Sequence, residues 1–237
     1  MNSQIVEIQK RIELRSKKLR SDYLNKISFA AEQSQSARKN MGCSNIAHAF
    51  ASCDKAQQGE AAEGADVIGV ITAYNDMLSA HAPLKDYPDV IKKSSLKRKA
   101  IARVAGGVPA MCDGITQGEP GMELSLFSRD VIALSTAVGL SHNVFDAAIC
   151  LGVCDKIVPG MVIGSLSFGH LPIAFIPAGP MPTGISNADK NEVRKKFANG
   201  EVDRSTLIST EQAAYHSSGT CTFYGTANTN QLIMEVM

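Results

Sequence analysis

Two short segments set a thiol directly beside a carboxylate: Cys112-Asp113-Gly114, and Cys154-Asp155-Lys156 with Cys150 just before it and Gly160-Met161 just after. Thiolate suits iron–sulfur or zinc and carboxylate suits magnesium or manganese, so the second triplet can serve two different metals, or one metal beside a cluster. The plainer alternative is a buried thiol next to a surface Asp155–Lys156 ion pair, because free cysteine is among the most buried residue types. In the first triplet Asp113 can converge with Asp155 on one cation, and Gly114, Gly118 and Gly121 permit close backbone approach; Asp-Gly is equally a common turn pair. A third segment, Ser217-Ser218-Gly219-Thr220-Cys221-Thr222, carries one thiol among hydroxyls and runs through Gly225 into a helix start. Backbone N–H groups there can cradle a cluster sulfide or a phosphate. The five histidines (48, 81, 142, 170, 216) form no HxH or HExxH pair, and no GxGxxG, GxxxxGK[ST] or GxSxG occurs, which argues against zinc hydrolase, nucleotide and triad chemistry. His81 and His216 lie near the other segments, where a catalytic and a structural role both stand open.

These segments need a scaffold that brings them together. Residues 4–38 show Ile5, Ile8, Ile12 and Leu19 at helical spacing among Lys and Arg, the pattern of a docking or partner-binding helix. After the Gly- and Ala-rich stretch 59–65 the texture becomes βα alternation. Strands are expected at 67–74, at the end of 102–111, at 146–153 and at 171–178, with helices near 86–101, 123–140, 160–168 and 188–198. The fold class expected is α/β, three-layered, a mostly parallel sheet flanked by helices: an N-terminal helical segment (1–64), then a cluster- and substrate-binding domain (65–237). Each strand then ends in a polar or Gly-rich segment, Asn75-Asp76, Cys112-Asp113-Gly114, Cys154-Asp155-Lys156 or Gly179-Pro180-Met181. All four fall on one sheet edge, where ligands bind in open α/β sheets. Residues 226–237 read as the start of a helix with no cap after it, and a truncated sequence is the expectation.

Composition narrows the partners. Of 237 residues 44% are hydrophobic and 20% charged, an ordinary globular balance. Lys plus Arg number 24 against 23 Asp plus Glu, and a net charge of +1 gives no basic field for nucleic acid or an anionic membrane. The apolar run 171–181 is shorter than the ~18 residues of a membrane span and is broken by proline. The first twenty residues mix both charge signs without an apolar leader core, so a cytoplasmic protein is expected. Six cysteines (43, 53, 112, 150, 154, 221) then read as thiols or metal ligands more readily than as a disulfide frame.

Taken together, CDGITQGEPGMELSLFSRD (112–130), CLGVCDKIVPGM (150–161), PAGPMPTG (177–184) and GTCTFYGTANTNQ (219–231) resemble the dihydroxy-acid and sugar-acid dehydratase family in order and spacing, over residues 40–237. AYNDMLSAH (73–81) and the GTC form look like the branch that acts on 6-phosphogluconate. The resemblance implies an iron–sulfur cluster on Cys154 and Cys221, a [4Fe-4S] centre with open iron coordination in preference to [2Fe-2S]. From the dihydroxy-acid branch it implies magnesium or manganese through Asp113, Asp155 and Lys156, the lysine carbamylated in some members, with Asp155 and Lys156 catalytic. A third cluster cysteine of that branch aligns with Ala80, and two cysteines before its GSC motif align with Tyr215 and Ser218. Cys43, Cys53, Cys112 and Cys150 carry no implied role and read as structural thiols. For the substrate's phosphate, Arg129 and the loop 179–184 are candidates, Arg129 being as readily a helix residue paired with Asp130. The implied reaction is loss of water from a small phosphosugar acid by a homodimeric hydro-lyase. The family's barrel-like C-terminal domain, which supplies a further acidic ligand and a serine base, is absent from these residues, so the chain alone is expected to be inactive. Three rivals stand beside this: a family member acting on a dihydroxy acid or aldonate, a non-catalytic iron–sulfur or redox-sensor protein, and a metal-free α/β binding domain.

Overall fold

The computed structural model describes residues 2–38, 40–62, 64–182, 184–221 and 227–236. Thr183 and residues 222–226, which belong to two of the quoted motifs, lie outside the described residues. Four strands, β1 (Asp66–Thr72), β2 (Ala100–Gly107), β3 (Ala147–Leu151) and β4 (Ile173–Ile176), form one sheet in the order β2-β1-β3-β4. Every pairing is parallel, so all carboxyl ends share an edge, as the βα alternation predicts. The first helices are α1 (Ser3–Ala37), α2 (Cys43–Phe50) and α3 (Lys55–Ala62); crossovers follow through α4 (Tyr87–Leu96), the single turn α5 (Asp113–Thr116), α6 (Ser128–Leu140) and α7 (Ile157–Leu166). Beyond β4 come α8 (Asn187–Ala198), α9 (Arg204–Ala214) and α10 (Ala227–Val236).

Alternate side chains of the strands feed opposite faces. Ile71, Ala148 and Cys150 join Ile132, Leu140, Ile157 and Met161 under α6 and α7, while Val70, Ala102 and Leu151 join Leu84, with Tyr87 and Ile91 of α4 packed against them. At the other end of the strands Val67 and Ile101 are closed off by Phe50 and Cys53. Helix α1, capped by the Asn2 side chain accepting from the Gln4 N–H, is mostly solvent-exposed. It is tied to the α/β unit where the Tyr23 hydroxyl donates to the Leu166 carbonyl at 3.0 Å. The Arg38 guanidinium just beyond it pairs with Asp146 at 3.0 Å and donates to the Ala65 carbonyl.

Three differences from the sequence expectation concern the site. Strand β2 occupies 100–107, not the end of 102–111, because Pro109 has no N–H for a ladder and Ile101 and Ala102 are the residues whose burial the sheet needs. A bulge shifts its register between the pairs Val70↔Val104 and Ile71↔Gly106 and re-aims the chain toward Cys112. The helix expected over 123–140 is divided: a 3-10 turn at Pro120–Leu124 precedes α6, and the break turns Ser125 inward to 2% exposure. Helix α7 starts at Ile157, three residues earlier than expected, because Pro159 falls in a first turn whose N–H groups have no helical partner anyway.

Candidate functional site

The segment leaving β3 is held on both sides, the Ala73 N–H donating to the Leu151 carbonyl at 2.9 Å and the Gly152 N–H to the Ile176 carbonyl at 3.3 Å. It enters α7 through Cys154, whose φ of +79° lies in the left-handed region that side chains other than glycine avoid. Strain of this sort is retained where surrounding structure over-determines it. Here the Val158 N–H caps back onto the Cys154 carbonyl at 3.1 Å and the Gly160 N–H onto that of Lys156 at 3.0 Å.

Lys156 is 2% exposed, and its ammonium reaches Asp113 at 2.6 Å and Asp155 at 3.1 Å. The Ser125 hydroxyl donates to the other Asp113 oxygen at 2.7 Å. Burial pushes the Asp113 carboxyl upward, but the hydrogen bonds from Lys156 and Ser125 outweigh it and hold Asp113 below the usual carboxylate range. Burial likewise opposes the ammonium, and the two carboxylates outweigh it, so Lys156 titrates above an ordinary lysine. The two segments that each pair a thiol with a carboxylate are therefore joined directly, end of β2 to end of β3. Ser125 was not singled out from sequence; only its place five residues after Pro120, where a helix was expected to have begun already, hinted at it.

Cys221 arrives from the far side. The Gly219 N–H donates to the Ser79 carbonyl at 2.7 Å, the Thr220 N–H to Gly179 at 2.9 Å, and the Met181 N–H to Thr220 at 2.9 Å. Gly219 has φ +130°, and a Cβ there would stand 2.5 Å from the Met181 nitrogen, so only glycine allows this clip. The loops after β1 and β4 thus fix the GTC segment against the same edge. Burial, then the thiolate charges of Cys221 and Cys112, push the Cys154 thiol up to about 12, with Asp155 adding and Lys156 opposing. Such a thiol is no free nucleophile, but it can release its proton to solvent on binding a metal, whose positive charge offsets the thiolate that the site otherwise resists.

His81 is buried in the same corner, 1% exposed. Its Nε2 lies 3.1 Å from the Val153 carbonyl, which can only accept, so Nε2 carries the proton; Nδ1 has no partner among the described residues. Burial, partly offset by that hydrogen bond, lowers its pKa to about 4. It is too weak a base at neutral pH to remove a carbon-bound proton and serves instead to hold the backbone next to Cys154. His216, the other candidate, is exposed. Ala80 is a buried methyl with no donor. Arg129 forms no ion pair with Asp130 among the described residues; its Nε is buried without a partner at the first turn of α6, and its carbonyl would lie 3.0 Å from a Cβ at Gly160 of α7.

Soft thiols at Cys154 and Cys221, partly exposed and within range of each other's charge, fit an iron–sulfur cluster. A divalent cation fits less well as the side chains stand, because Asp113 and Asp155 already face the Lys156 ammonium. Among the described residues no three His, Cys, Asp or Glu side chains are close enough to share one metal ion. A concavity of about 620 Å³ opens beside Phe197, Leu207 and Tyr215 between α8 and α9, and none of the candidate site residues lines it. No described helix is long and apolar enough to cross a membrane.

A family model described as dihydroxy-acid/6-phosphogluconate dehydratase, N-terminal, matches residues 66–237. Among curated proteins the chain is 55% identical over its whole length to a phosphogluconate dehydratase of Pseudomonas aeruginosa and 54% identical to one of Escherichia coli K12. In both cases it spans 39% of the relative's length. A dihydroxy-acid dehydratase of Akkermansia muciniphila is 34% identical over 72% of this chain and 31% of its own.

Proposed function

The chain belongs to the dihydroxy-acid/6-phosphogluconate dehydratase family, and from that premise we propose that it serves a hydro-lyase converting 6-phospho-D-gluconate to 2-dehydro-3-deoxy-6-phospho-D-gluconate and water, the dehydration of the Entner-Doudoroff route. The observation that carries the proposal is the convergence of four family-like loops on one edge, at a point where Lys156 joins Asp113 to Asp155 beside Cys154. Identity of 50–56% to phosphogluconate dehydratases, against 34% to a dihydroxy-acid dehydratase, supports the phosphorylated substrate. Such a substrate is charged twice over and confined to the compartment where it is made, in keeping with a cytoplasmic homodimer whose α/β unit (65–237) does this work and whose helical segment (1–64) packs onto it.

The chemistry removes a C2 proton that is only weakly acidic, although α to a carboxylate, and expels hydroxide from C3; the enol left behind takes a proton at C3 and becomes the keto acid. Net, one water is lost and nothing is oxidised. Cys154 and Cys221 would hold the cluster, a [4Fe-4S] centre in this reading, which when bound supplies Lewis acidity toward the substrate's carboxylate and departing hydroxide. Lys156 fixes the positions of two carboxylates and offsets their charge where an anionic substrate must approach. Magnesium or manganese would join Asp113 and Asp155 only if Lys156 exchanged its ammonium for an anionic carbamate, which the raised lysine pKa opposes. Arg129, whose Nε is without a partner among the described residues, is the candidate for an anionic substrate oxygen.

The test is anaerobic purification of the protein at the full length of its relatives, with iron and sulfide analysis and a keto-acid assay on 6-phosphogluconate beside a dihydroxy acid. Iron, sulfide and preferential turnover of 6-phosphogluconate are expected. A colourless protein, or one active only on the dihydroxy acid, refutes the proposal.

A further inference from the structure

We infer that Cys112 is a third thiolate ligand of the iron–sulfur cluster, closing a triangle with Cys154 and Cys221; the inference rests on the cluster reading above. From sequence Cys112 reads as a structural thiol. Its surroundings differ from those of the other three cysteines given that reading. Cys53 is buried among Phe50, Val67 and Ile101 and accepts from the Arg103 guanidinium at 2.8 Å. Cys150 is 0% exposed within β3, opposite the Ser165 hydroxyl at 3.8 Å. Cys43 is exposed at the start of α2.

Cys112 alone among these stands at the sheet's carboxyl edge. It caps α5 from the loop leaving β2, is partly exposed, and precedes Asp113, whose carboxylate is clamped to Lys156, two residues after Cys154. That clamp fixes the separation of the Cys112 and Cys154 backbones. Both other thiols are near enough for their charges to act on Cys154, yet no three acidic, thiol or imidazole groups among the described residues can share a single ion. Three thiols spaced too widely for one ion but within electrostatic reach, two on strand-end loops and the third on the segment after α9 that is pinned to the same edge, suit a body of several irons. Each Sγ loses its proton to solvent as it binds. Three thiolates on four irons leave one iron free to meet substrate oxygens, whereas two would leave the cluster held along one side only.

The experiment uses the full-length protein, purified anaerobically as wild type, Cys112→Ser, Cys112→Ala and Cys43→Ser. Iron and sulfide per chain, the electron paramagnetic resonance spectrum after reduction, and the rate of iron loss to a chelator are read, with circular dichroism as the check on folding. Iron loss about 10-fold faster or more is expected in both Cys112 variants, with an altered spectrum, and neither change in Cys43→Ser. Alkylation of the wild type, mapped by mass spectrometry, reads the same contact without a substitution: Cys112 is expected to be protected in the loaded protein and modified after iron removal. Cys112 variants with wild-type iron, spectrum and chelation rate, or Cys112 alkylated equally in both states, overturn the inference and leave the cluster reading standing. A wild type with no iron or sulfide overturns both.

Discussion

The Cys154-Asp155-Lys156 turn leads directly into α7, and two glycines one turn apart, Gly160 and Gly164, let that helix lie against α6. A Cβ at Gly164 would stand 2.5 Å from the Ala133 carbonyl oxygen and 2.8 Å from Thr136 Cβ; one at Gly160 would stand 2.7 Å from Ile132 Cγ2. Consider Gly164→Ala. Helix propensity alone favours the alanine by about 1 kcal/mol. The clash is with a backbone oxygen, which cannot rotate away, so restoring an ordinary contact of 3.4 Å moves α7 by about 0.9 Å against its neighbour. Overpacking of this kind costs about 1–3 kcal/mol, and after the propensity gain the net expectation is destabilisation by up to about 2 kcal/mol. Gly59 in α3 is the control, because a Cβ there meets nothing within 4 Å and Gly59→Ala is expected to stabilise by about 0.5–1 kcal/mol. A helix displaced by most of an ångström also displaces Lys156 from Asp113, and a kcat/KM lower by about 10- to 100-fold is expected. Urea unfolding followed by circular dichroism and the keto-acid assay read the two effects. A Gly164→Ala protein as stable as wild type, with wild-type kcat/KM, refutes the packing argument and the coupling of α7 to the site.

Further outcomes follow from the same corner. Because folded His81 binds its proton only near pH 4 while the unfolded residue binds near 6.5, the unfolded state holds more protons between those values; stability is therefore lost as pH is lowered from 6.5 to 4, by up to about 3 kcal/mol, and urea titrations should show the loss flattened in His81→Gln. Lys156→Met keeps volume but leaves Asp113 and Asp155 without their cation, so kcat should fall about 100-fold or more and stability at pH 7 by about 1–3 kcal/mol, both carboxylates being partly exposed. In wild type the Asp113 contribution runs the other way from a basic group: the depressed carboxyl stabilises above its unfolded value of 3.8 and the effect disappears as pH falls through the folded one, so Lys156→Met should lose most of its deficit in acid. At Cys154 the left-handed φ makes Cys154→Gly more stable than Cys154→Ala by about 1 kcal/mol, measured on cluster-free proteins; equal stabilities would show that the backbone relaxes there without strain.

Most of the sheet was legible because its signal is local: a short apolar run bounded by Gly, Pro or Asp marks a strand wherever it packs. Parallel pairing followed from the intervening helices, and with it the sharing of one edge by the strand ends. What stayed hidden was set by partners far along the chain. Nothing near residue 125 announces that Ser125 must turn inward, because its reason is the Asp113 oxygen, and the division of 123–140 into a 3-10 turn and α6 follows from that contact. Helix α9 was missed for a related reason: it is short, and its one buried residue, Ala214, gives no long amphipathic stripe to read.

One long-range relation was nevertheless written locally. Cys112-Asp113 and Cys154-Asp155 repeat the same thiol–carboxylate pair at consecutive strand ends on either side of β1, and the structure joins their carboxylates through a single buried ammonium. If the carboxylates of two such pairs converge, the thiols next to them are carried into the same corner, because each is its carboxylate's immediate neighbour in the chain and the backbone at both is fixed, by the start of α5 on one side and by the +79° turn on the other. Read singly, Cys112 looked like a spare thiol and Cys154 like a ligand. Read as a repeated unit, the two have the same claim on whatever occupies the edge, and Cys221, pinned there by Gly219 and Thr220, supplies the third corner that two strands alone cannot.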